Sequence, residues 1–77
     1  MILYWIARRA RTFVPEEFRV VRLMHNKSQA EIASALRITR QQVSNWERGQ
    51  GAPGKDVAET LFSMLGNDAH RVFPEVQ

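Results

Sequence analysis

The stretch SQAEIASALRITRQQVSNWERG, residues 28–49, decides the fold of this chain of 77 residues. It holds two helix starts in quick succession. Ser28 followed by Glu31 has the capping-box spacing, in which the hydroxyl bonds the third backbone N–H and the acid side chain reaches back. Thr39 followed by Gln42 repeats it. Between the two, Ile32, Ala33 and Leu36 form an i, i+1, i+4 apolar face, which predicts a short helix ending near Leu36. Gly49 predicts the stop of the next helix, because glycine takes the left-handed conformation without a Cβ penalty.

The second of these helices is unusual in what it carries. At about 100° per residue, Arg40, Ser44, Arg48, Gln41 and Asn45 fall on one arc of about 140°. Val43, Trp46, Glu47 and Gln42 fall on the other side. The arc has no acid and no lysine, whereas a solvated face ordinarily mixes both. Arginine suits the acceptors of guanine, glutamine and asparagine suit adenine, and serine is permissive. Two helices joined by a three- or four-residue turn cross steeply and project the second outward. Ala33 permits the close approach, and Ile32, Leu36, Ile38, Val43 and Trp46 are placed to seal the angle.

Working outward, a first helix is expected from near Pro15 to near His25 and Asn26. Proline suits its first turn, and Glu16 and Glu17 complement the positive end of its dipole. Phe18, Val21 and Met24 are its expected buried stripe. A fourth helix is expected from Lys55 to Leu65, with Val57, Ala58, Leu61, Phe62 and Leu65 inward and Gly66 and Asn67 ending it. DAHRVF offers one further turn before Pro74. The organisation expected is an N-terminal segment, residues 1–14; a helical domain, residues 15–66; and a C-terminal tail, residues 67–77.

The N-terminal segment, MILYWIARRARTFV, reads differently. Ile2, Tyr4 and Ile6 alternate with Leu3 and Trp5, a density of branched and aromatic residues that favours a strand. A lone strand needs a partner, and the same strand of a second copy supplies one across a two-fold axis. A helical arm packed on the first helix is the alternative. Arg8, Arg9 and Arg11 read either as an arm lying on DNA phosphates or in the minor groove, or as a solubilising flank.

Composition sets limits. The net charge is +3, and its sign suits a polyanionic partner. There is no cysteine, which excludes disulfides and thiolate metal sites. His25 and His70 stand far apart with no ligand spacing around them and are expected at the surface, so neither a metal nor another cofactor is expected. No run is long enough to span a membrane, and the apolar run at residues 1–7 lacks the basic flank that precedes a signal core. A cytoplasmic protein is expected. No nucleophile–base pair and no phosphate-cradling glycine loop can be assembled, so no enzyme is expected.

Arg22, SQAEIA (28–33), Leu36, VSNWERG (43–49), Pro53 and Leu61 through Leu65 together resemble the helix-turn-helix family of phage Cro and repressor proteins, which includes many antitoxins. The resemblance covers residues 18–65. It implies an all-α fold of four to five helices and says nothing of the N-terminal segment, whose strand, pairing across a dimer, is read from its own residues. It implies base reading by Arg40, Gln41, Ser44 and Asn45. It puts Gln29, Arg48 and the backbone of residues 50–54 on phosphates, with Gln29 also bracing the third helix. Arg37, Gln50 and Lys55 join that expected backbone-contacting set. It further implies a buried ion pair between Arg22 and Glu47, which answers the problem of an acid on the inner arc. Three positions depart from the family pattern. Arg37 stands where glycine is usual, so that turn is either strained or rearranged. Lys27 removes the hydrophobic staple before the second helix, and Gly54 replaces the hydroxyl cap of the fourth.

The expected function is sequence-specific binding of double-stranded DNA as a homodimer on a palindromic operator, in an autorepressor of a phage or mobile-element operon. The alternative is an antitoxin that neutralises a toxin protein and binds DNA secondarily. Dimerisation is expected through Ile2, Tyr4, Trp5 and Ile6; the alternative patch is Phe62, Leu65, Val72 and Phe73.

Overall fold

The computed structural model describes residues 13–74. These are helical throughout: α1 (Pro15–Met24), α2 (Gln29–Leu36), α3 (Arg40–Glu47) and α4 (Lys55–Leu65), then a 3-10 turn (Gly66–Asp68) and a short α5 (Ala69–Val72). No strand occurs among the described residues. Ile2, Tyr4, Trp5 and Ile6 lie outside them.

Local chemistry starts α2 and α3 where the sequence signals it. In α2 the capping box is closed in both directions, with Glu31 N–H donating to Ser28 Oγ at 3.0 Å and Ser28 N–H to Glu31 Oε1 at 2.8 Å. In α3 Gln42 N–H donates to Thr39 Oγ1 at 3.1 Å and Thr39 N–H to Gln42 Oε1 at 3.0 Å. Helix α4 has Gly54 as its N-cap residue and therefore no side-chain cap.

The first three helices end alike. Asn26, Arg37 and Gly49 all have positive φ, at 57°, 58° and 80°. At each, the following N–H bonds five residues back: Lys27 to Arg22 O, Ile38 to Ala33 O and Gln50 to Asn45 O. This is the Schellman closure. Arg37 therefore resolves the alternative posed by its sequence position. The turn is not rearranged; an arginine occupies the left-handed site, at a cost of about 1–2 kcal/mol.

The core gathers Phe18 and Val21 of α1, Ile32, Ala33 and Leu36 of α2, Val43 and Trp46 of α3, and Ala58, Leu61 and Leu65 of α4. Val57 and Phe62 pack at its edge. Three results correct the sequence expectations. Met24 is 56% exposed, and Arg22 is buried instead, because Arg22 lies about 40° from Phe18 around the helix while Met24 lies about 120° away. Leu65, Val72 and Phe73 are all buried within the protomer, so they are core and do not form a surface patch for a second copy. His25, expected at the surface, is half-buried and bonds Asp68 at 2.8 Å.

Phe13 joins the core as well, with its ring 5.4 Å from Phe18, 6.0 Å from Trp46 and 5.7 Å from Phe73. Val14 N–H donates to Val72 O at 3.0 Å. The two ends of the described chain thus close on each other beside α1.

Candidate nucleic-acid interface

Val43 and Trp46 are buried and fasten α3 to the core. The helix period then turns the donor arc outward: Arg40, Gln41 and Arg48 are exposed, and Ser44 and Asn45 partly so. The N-terminal turn of α2 meets the same arc. Gln29, Arg40, Gln41 and Ser44 line one shallow hollow, so a residue separated from the others in sequence shares their surface.

The arc is organised by its own hydrogen bonds. Gln41 Nε2 donates to Asn45 Oδ1 at 3.0 Å, and Arg48 Nη1 to Ser44 Oγ at 3.1 Å. Arg48 Nη2 also donates to Asn45 Oδ1. These are i,i+3 and i,i+4 neighbours, which share a helix face. Gln41, Ser44, Asn45 and Arg48 thus bond one another along the face, while Arg40 takes part in none of these bonds.

Beneath the arc, Glu47 ties three segments together. Arg22 donates to both its carboxylate oxygens, Nε to Oε2 at 2.6 Å and Nη2 to Oε1 at 3.2 Å. Gln29 Nε2 donates to Oε1 at 3.1 Å. The Arg22 fork also donates from Nη1 to Lys27 O at 2.7 Å. The side chains of Arg22 and Glu47 are only 9% and 5% exposed. The expected pair is therefore present, and the brace from Gln29 with it. The contact to the Lys27 carbonyl had no sequence signal, since a main-chain acceptor is available at any residue.

The remaining expected residues are distributed around this centre. Arg37 occupies the α2–α3 turn, Gln50 follows α3, and Lys55 opens α4; all are exposed. None shares the hollow with Gln29. Of the ion pairs among the described residues, none engages Arg37, Arg40, Arg48 or Lys55. A second hollow lies where Val14, Pro15 and Glu16 face Glu47, Arg48 and Gly49, so the entry to α1 abuts the C-terminal end of α3. Among the described residues no three of His, Asp and Glu are grouped to hold a metal ion, and no helix is long and apolar enough to cross a membrane.

One titration is displaced near the site. Glu31 has its carboxyl held below the ordinary carboxylate range, first by the Ser28 backbone N–H and then by its hydroxyl.

A family model described as helix-turn-helix matches residues 18–69, more than half of the chain. No curated protein and no solved structure gives a significant match.

Proposed function

The chain belongs to the Cro/repressor (XRE) type of the helix-turn-helix family, which makes it a DNA-binding transcription regulator, and from that premise we propose that it is an autorepressor acting as a homodimer on a palindromic operator. One observation carries the reading: the acid-free donor arc of α3, held rigidly outward by Trp46 beneath and the Arg22–Glu47–Gln29 knot behind.

In this reading α3 enters the major groove. Arg40 donates to the O6 and N7 acceptors of guanine, Gln41 and Asn45 bond adenine, and Ser44 donates to a base acceptor or accepts from a base donor. Gln29, Arg37, Arg48, Gln50 and Lys55 hold phosphates on either side and fix the register without reading sequence. Two protomers read half-sites about one helical turn, ~34 Å, apart and block polymerase. Control of its own operon on a phage or other mobile element fits a small regulator whose described part is filled by the DNA-binding domain.

The dimer reading rests on Ile2, Tyr4, Trp5 and Ile6. It is strengthened by the fate of its rival, since Leu65, Val72 and Phe73 are spent on the protomer's own core. Val20, Leu23 and Met24 leave an apolar stripe on α1 exposed, which offers the N-terminal segments something to rest on. The same stripe supports a second reading, in which it receives a toxin protein and DNA binding is secondary.

Selection from a random duplex library tests the main reading. A recovered motif with inverted half-sites about one turn apart is the expected result. Recovery of single, non-repeated sites would remove the homodimer, and no enrichment at all would remove sequence-specific binding.

A further inference from the structure

Two donors converge on one atom of the α3 arc. Asn45 Oδ1 accepts from Gln41 Nε2 at 3.0 Å and from Arg48 Nη2. Arg48 engages a further side chain of the arc, with Nη1 donating to Ser44 Oγ at 3.1 Å. A guanidinium carries donors only, so any group that bonds it must accept. That rule orients the arc step by step. The amide of Asn45 has to give its oxygen to Arg48, which leaves only the Nδ2 protons for other partners. Gln41 must then offer that oxygen its Nε2 and not its Oε1. Ser44 has given a lone pair to Arg48 and keeps its hydroxyl proton to donate.

Two residues with the same functional group are thereby made unequal. An amide singles out adenine by accepting from its N6 and donating to its N7. Gln41 retains both capacities: it has spent one Nε2 proton, and its Oε1 accepts none of the bonds within the arc. Asn45 does not. An amide oxygen has two lone pairs, and Gln41 and Arg48 occupy both. The Nδ2 of Asn45 can still donate to N7, but adenine and guanine both present N7 as an acceptor. Arg48 itself is exposed and takes part in no ion pair among the described residues, so no carboxylate draws it away from the arc.

We propose that Arg48 is a positioning residue that sets base specificity: by holding Asn45 Oδ1 it restricts Asn45 to purine N7, so that adenine and guanine are accepted alike at the base pair Asn45 reads. The inference rests on the reading of α3 as a duplex-binding helix. It adds to the phosphate role of Arg48 without displacing it, because the guanidinium has N–H groups to spare beyond the two spent within the arc. A phosphate contact alone carries no sequence information, which separates the two roles by experiment.

The test uses the full chain and the duplex recovered from the random library. Asn45→Ala first locates the base pair whose preference depends on Asn45. Affinities are then measured for duplexes that differ only there, adenine against guanine. The unaltered protein should bind the two about equally. Arg48→Met, which keeps an aliphatic stem, and Arg48→Ala, which removes it, both free a lone pair of Asn45 Oδ1. Both should favour adenine by about five-fold or more, the lower end of what a bidentate pair discriminates. Both should also bind every duplex more weakly. Lys55→Met removes a phosphate-holding cation outside the arc and should weaken binding with no change in the adenine-to-guanine ratio. A strong preference for either purine in the unaltered protein, or a ratio that does not move in the Arg48 variants, overturns the proposal and leaves the reading of α3 intact. A ratio that moves equally in Lys55→Met also overturns it, because the ratio would then follow affinity and not the amide. If Asn45→Ala changes no base preference, Asn45 reads no base and the proposal fails while the other readers stand. If the unaltered protein binds no duplex, it falls together with the proposed function.

Discussion

Replacing Glu47 by Gln probes the junction on which the interface is built. The carboxylate accepts two bonds from Arg22 and one from Gln29, and glutamine keeps the shape while discarding the charge. At 5% and 9% exposure the two side chains have almost no water to replace the lost partner. Stranding a buried charge in this way costs about 3–5 kcal/mol. A domain of about 60 residues has only ~3–9 kcal/mol of stability in total, so the variant should lose at least about a third of it. With roughly 4–8 °C lost per kcal/mol in a domain of this size, the melting temperature should fall by on the order of 20 °C. The Glu17–Arg71 pair supplies the internal control. Its side chains are 38% and 43% exposed, and Glu17→Gln should cost no more than about 0.5 kcal/mol. Thermal unfolding followed by circular dichroism measures both. A double variant, Arg22→Met with Glu47→Leu, should cost less than either single change, because an apolar pair strands nothing. A Glu47→Gln protein that melts within a few degrees of the original, or a double variant that merely adds the two single losses, would refute the reasoning.

Substituting Arg40, Gln41 or Asn45 by Ala should cost about 1–3 kcal/mol on the selected duplex and little on random DNA; equal losses on both, in a titration against each, would make these residues phosphate holders. Arg37→Gly should stabilise the fold by up to about 1 kcal/mol, relief of the left-handed strain exceeding the added freedom of the unfolded chain; a lower denaturant midpoint would show that the arginine side chain is doing something the turn needs. A protein beginning at Thr12 should sediment as a monomer and lose steep two-site binding; a dimer with full operator affinity would take dimerisation away from Ile2, Tyr4, Trp5 and Ile6. Glu31 is ionised more readily when folded, so its contribution to α2 is complete above the ordinary carboxylate pKa and is lost as pH falls through its lowered folded value. Glu31→Gln should flatten the acid limb of stability against pH, and an identical limb would mean that the cap bonds do not contribute there.

Sequence alone determined whatever depends on residues a few positions apart. Ser28 with Glu31, Thr39 with Gln42, and Gly49 specify helix ends through bonds that span one turn, so their spacing can be read directly. The donor arc of α3 is of the same kind, since the helix period converts position into direction. The Arg22–Glu47 pair was legible only through resemblance to a family, because nothing local links residues so far apart. Tertiary structure decided the rest. It drew Phe13, Val72 and Phe73 into one core, turned Met24 outward in favour of Arg22, and set His25 against Asp68. It also brought Gln29 into the hollow with Arg40, Gln41 and Ser44, and chose strain over rearrangement at Arg37. An apolar side chain near a chain end has the same composition whether it fills its own core or seeks a partner. Only the packing of all the helices reveals whether the core had room for it.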